Sequence, residues 1–196
     1  MLTLSSDQIA EYLNNVIWNF KVGDNLSYNL KLLFALYKLK EKSLRNGDLL
    51  DKFVIIQIVS IIECLLTDFI WRLKGATLHY PQNISQSERG QISVALQNWM
   101  LKDKLKNIKF SEITSFLHKY KLFGNNQELY ENLEELGNLR NRIHIFNYYS
   151  VLEKDEAFVY TPLRVSKAEK TLCEVISYMG VNYPRPWKTE TTGRIS

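Results

Sequence analysis

The segment FVIIQIVSIIECLLTDFIWRL, residues 53–73, limits this chain to two kinds of fold. It is long enough to cross a bilayer as a helix, and apolar enough to be the central helix of a bundle in water. Glu63, Asp68 and Arg72 decide between the two. Each would cost roughly 2.5–3.5 kcal/mol near the middle of a membrane. The segment therefore predicts a buried core helix and no membrane partner, ending near Gly75, where glycine suits the position past a helix end. Its polar residues Gln57, Ser60, Glu63 and Thr67 recur at spacings of three, three and four and so share a face. Glu63 is central to that stripe. A carboxylate on a buried helix needs a partner, because an unpaired buried charge is very costly.

Helical periodicity continues on both sides. Ser5 with Gln8 fits a capping box, followed by Ile9, Tyr12, Leu13, Val16, Ile17 and Phe20 at helical spacing. Gly23 in VGDN is expected to break that helix. A second runs from 26 to 45, with Leu30, Leu33, Phe34 and Tyr37 on one side, and stops at NGD. After the core helix, Ser85 and Glu88 form another capping box, leading into Ile92, Ala95, Leu96 and Trp99. A short helix covers 111–120, with Ile113, Phe116, Leu117 and Tyr120 apolar. The next starts near Gln127, with Leu129, Leu133, Leu136, Leu139, Ile143 and Phe146 as its core face. Residues 153–166 read as a loop with a short extended piece at 158–161, and a last helix spans 166–179. The pattern predicts an all-α bundle of about six to seven helices, a single domain over 1–182, and a loose tail over 183–196.

Bulk properties narrow the function little. The chain has 196 residues, enough for a substantial core, with only four prolines and eight glycines to interrupt helices. Its net charge of +4 permits an anionic partner without requiring one. Lys102, Lys104, Lys106 and Lys109 lie close together, either as a solvated turn or as a rim attracting phosphate. Cys64 and Cys173 sit in apolar patterns and read as buried free thiols of a reducing compartment. The N-terminus shows no secretory signal, so a cytoplasmic location is expected. Walker, GxGxxG, HExxH, CxxC and GxSxG motifs are all absent. The three histidines are far apart in sequence, so neither a metal site nor a cofactor is expected.

The stretch ELGNLRNRIHIFNYYS, residues 135–150, is where chemistry is most concentrated. On a continuous helix Arg140 and His144, four apart, lie one turn apart on one face, with Asn147 and Tyr148 continuing it. Gly137 costs about 1 kcal/mol in helix propensity relative to alanine and permits close approach. Histidine exchanges a proton near neutral pH, and arginine clamps a phosphate. The pair could cleave RNA without a metal. Equally, Arg140 could pair with Glu63 to hold two helices together, with His144 bonding a neighbour.

LRNRIHI on a late helix, with SIIECLL on the core helix upstream, resembles the HEPN superfamily of small α-helical domains, many of them ribonucleases of defence and toxin–antitoxin systems. The resemblance implies a HEPN-like bundle. It makes Arg140 the motif arginine, Asn141 the polar residue after it, His144 the catalytic histidine, and Glu63 the acidic support on the core helix. It also implies a homodimer whose motif helices meet in a cleft, RNA or nucleotide as ligand, and an antitoxin or other protein as partner. Three residues separate Arg140 from His144, one fewer than the family's usual minimum. On an ideal helix that turns the histidine by about 100°. The resemblance thus leaves two functions in view: a metal-independent endoribonuclease, and a non-catalytic module that binds a nucleotide, RNA or a protein.

Overall fold

The computed structural model describes residues 20–43, 47–74, 84–101, 108–142 and 156–184. The chain is an all-α bundle. Its elements are α1 (Phe20–Lys42), a 3-10 turn (Gly47–Leu50), α2 (Asp51–Lys74), α3 (Gln86–Leu101), α4 (Phe110–Lys119), α5 (Gln127–Asn141), a short α6 (Glu156–Val159) and α7 (Pro162–Asn182).

α2 is the axis of the bundle. Val54, Ile55, Ile58, Ile62, Leu65 and Phe69 are fully covered, mainly by α7 and α1, with α5 on a further side. β-branched residues are modest helix formers, so burial rather than propensity makes this segment helical. It is the one helix among the described residues long and apolar enough to cross a membrane, and most of it lies inside the bundle. Asp51 opens it, where a carboxylate favours the positive helix end.

Four sequence expectations are corrected. Gly23 does not break a helix; α1 runs through it, because Leu26, Leu30 and Leu33 bury against α2. That packing outweighs about 1 kcal/mol of glycine propensity. The extended piece expected at 158–161 is instead the end of α6 and the residues entering α7. α7 starts earlier and ends later than the periodicity suggested. Thr161 caps it, its side chain accepting from the Arg164 N–H, and Pro162 occupies the first turn. The Ser85–Glu88 capping box forms as expected, with bonds running both ways between the pair. The Ser85 hydroxyl, and then its N–H, donate to the Glu88 carboxylate and hold that carboxyl below its ordinary range. Cys64 and Cys173 are thiols outside any disulfide and are only half-buried, where full burial was expected. The first expected helix, through residue 19, and the tail from 185 lie outside the described residues.

The α4–α5 connection is held tightly. Lys121 and Gly124 both adopt positive φ, at 48° and 69°. The Tyr130 hydroxyl accepts from the Phe123 N–H and donates to the Gly124 carbonyl, each at 3.0 Å. Tyr183 at the end of α7 donates to the Leu122 carbonyl at 2.8 Å, and its ring packs on Phe69.

Burial pushes the Tyr130 phenol up to about 12. Burial, then the hydrogen bond to Glu169, raises that of Tyr37 as well. An unfolded tyrosine ionises near 10. Between about pH 10 and 12 the unfolded chain therefore binds fewer protons than the native one, and stability falls as pH rises. Below about pH 10 this effect is absent. Tyr130→Phe should lower stability at neutral pH, by leaving the Phe123 N–H without its acceptor, yet lose less than the wild type across that alkaline range. Denaturant midpoints of both chains at several alkaline pH values check this, and parallel slopes would refute it.

Candidate functional site

A cleft of about 660 Å³ lies along the α4–α5 hairpin, with α2 contributing Glu63. α4 offers Ser111, Thr114, Ser115 and His118, which recur three and four apart and so form one face. The opposite face buries Ile113, Phe116 and Leu117. This division makes α4 strongly amphipathic and turns its polar side to the cleft. α5 contributes Tyr130, Glu134, Gly137, Asn138, Arg140 and Asn141. Its other side carries Leu129, Leu133, Leu136 and Leu139 into the core.

Gly137 allows the two helices to meet. A β-carbon there would lie 2.8 Å from Cδ1 of the buried Phe110 ring. The close approach expected at this glycine is thus made by the first residue of α4.

Arg140 is held at one end of the cleft. Its Nη2 lies 2.9 Å from Glu63 Oε2. The expected tie between α5 and α2 is formed, and it is not sealed: the arginine side chain is 37% exposed and the glutamate 23%. Guanidinium has five N–H donors, so the ion pair leaves capacity for a second anion. Asn141 is exposed beside it, on the cleft. The other members of the polar stripe serve other ends. Gln57 donates to the Asn29 side chain at 2.7 Å, and Ser60 to its own helix at Ile56. α5 ends at Asn141, with Arg142 as its buried C-terminal cap. His144, Asn147 and Tyr148 lie outside the described residues, as do Lys102, Lys104 and Lys106. Lys109, the last of the lysine cluster, is exposed on the cleft wall.

The histidine placed in the cleft is His118, which sequence reasoning had not singled out. Its ring is stacked on that of Tyr130, with centroids 4.6 Å apart and planes at 15°. Gln127 fixes its edge: the amide nitrogen donates to Glu131 at 3.0 Å, which turns Oε1 towards His118 Nε2 at 3.1 Å. An acceptor in that place selects the Nε2–H tautomer. The polar spacing of α4 was legible, but it reads equally as an ordinary solvated face.

Among the described residues that line the cleft the formal charges cancel, Glu63 and Glu134 against Lys109 and Arg140. These residues make a hydrogen-bonding groove with an arginine at one end. Among the described residues no three His, Cys, Asp or Glu side chains are grouped to hold a metal. Comparison with protein-family models, curated proteins and solved structures finds no match for this chain.

Proposed function

We infer that the chain is a HEPN-like domain that binds single-stranded RNA in the α4–α5 cleft and cleaves it without a metal. The observation that carries the reading is Arg140: paired with Glu63, partly exposed, and set at the end of a polar cleft beside Asn141. A half-neutralised, oriented guanidinium suits one phosphate, and Glu63 holds it in place. In the reaction His144 takes the proton of a ribose 2′-hydroxyl. The oxygen attacks the adjacent phosphorus as the bond to the 5′-oxygen breaks; the leaving oxygen takes a proton from water, His144 returns its own to solvent, and a 2′,3′-cyclic phosphate and a 5′-hydroxyl result. Arg140 stabilises the charge gathering on the phosphoryl oxygens. Asn141 contacts the same phosphate. Asn147 and Tyr148 extend the site, which two copies complete by pairing their motif segments in the cytoplasm, with an antitoxin-like protein as the natural restraint.

A second reading is the non-catalytic binding module. The cancelling charges of the described cleft residues and the shortened Arg140–His144 spacing favour it. One assay separates the two. The wild type, Arg140→Ala and His144→Ala are incubated with single-stranded RNA in EDTA. Cleavage to cyclic-phosphate ends is expected in the wild type and should fall by about 100-fold or more in each variant, the usual scale for losing an acid–base group or charge stabiliser. Binding without cleavage, weakened by Arg140→Ala, would establish the module instead.

A further inference from the structure

We propose that His118, backed by Tyr130, is a stacking platform for a nucleobase at the end of the cleft opposite Arg140. The proposal rests on the RNA-binding reading above and adds a base subsite to it. Three features single His118 out. One face of the imidazole is covered by the Tyr130 ring in near-parallel contact. Tyr130 is itself buried and held by two backbone hydrogen bonds, so the support is rigid. Gln127 holds the edge of the imidazole. The residue is nevertheless exposed and lines the cleft, so the face away from Tyr130 is the one presented to solvent. A planar, oriented, half-covered ring offers a base stacking surface without an ordering penalty.

The position along the groove sets the role. Tyr130 and Arg140 are ten residues apart on α5, which places them about 15 Å apart along the axis. His118 is therefore too far along to act on the phosphate that Arg140 holds, and the groove spans more than one nucleotide. Between the two ends, Ser115, Glu134 and Asn138 present hydroxyl, carboxylate and amide groups able to meet the edge of a base.

The test uses the full chain and two probes: an adenosine trinucleotide with 2′-deoxy sugars at its cleavable positions, so that it is not cleaved and can reach both ends of the groove, and the same compound lacking the terminal base on the side away from the phosphate held by Arg140. Binding is followed by NMR titration for the wild type, His118→Ala, His118→Phe and Arg140→Ala, with circular dichroism to confirm folding. His118→Ala should weaken the complete trinucleotide about tenfold, the scale of one base–aromatic stack. It should leave the abasic probe unchanged. His118→Phe, which keeps a ring but loses the nitrogens, should bind within about threefold of the wild type. Arg140→Ala should weaken both probes. If Arg140→Ala alone has an effect, the platform is overturned and the RNA reading stands. If the wild type binds neither probe, both fall.

Discussion

Replacing Phe69 with alanine is expected to lower the unfolding free energy by about 3–5 kcal/mol, the range for losing a large aromatic from a close-packed core. Phe69 is 0% exposed on α2. Its ring meets Tyr183 at 4.7 Å and Phe123 at 5.7 Å, both edge-on. It therefore joins three distant parts of the chain: the core helix, the α4–α5 connection and the end of α7. For a chain of this size about 2–4 °C is lost per kcal/mol, so the melting temperature should drop by about 6–20 °C. Phe53→Ala provides the control: same residue type, same helix, but 56% exposed, with an expected change within about 0.5 kcal/mol. Similar losses for the two variants in calorimetry would show that α2 is not the core helix.

The second large effect is electrostatic. Asp51 is 0% exposed at the start of α2, and Lys40 from α1 reaches it with its ammonium, while its own side chain stays 25% exposed. The other carboxylate oxygen has no hydrogen-bond partner among the described residues. Removing the lysine leaves a buried charge uncompensated, which typically costs about 3–5 kcal/mol. The N-terminus of α2 offsets part of it, so Lys40→Met should cost about 3 kcal/mol. Changing both members, Lys40→Met with Asp51→Leu, should restore most of the loss, because no charge then remains to be solvated. Chemical denaturation of both single variants and the double completes the cycle. A double variant as unstable as the sum of the singles would mean that the two residues act independently.

Much of the bundle was legible because a helix repeats its side-chain directions every 3.6 residues. Ile113, Phe116 and Leu117 were read as one buried face and are one. The Ser85–Glu88 box was legible for the same local reason, its partners being three residues apart. A pair between Glu63 and Arg140 was one of two readings open to the arginine, since a carboxylate on an apolar helix needs a cation, and the structure forms it. Gly23 shows the limit of local rules. A glycine signals a break only where nothing holds the helix together, and α2 does hold α1.

What the sequence by itself determined is the division of each helix into an apolar and a polar side, and hence an all-α chain built on residues 53–73. Only the tertiary structure decided which polar sides meet. Tyr37 donates to Glu169 across 132 positions, and Lys40 finds Asp51 around a corner. His118 shares a cleft with Arg140 because α4 folds back along α5, with Phe110 seated on Gly137. The physical reason is one of range. Periodicity records the environment of one helix at a time, while a site made from three helices depends on how their axes pack, and that is set by the fit of whole surfaces.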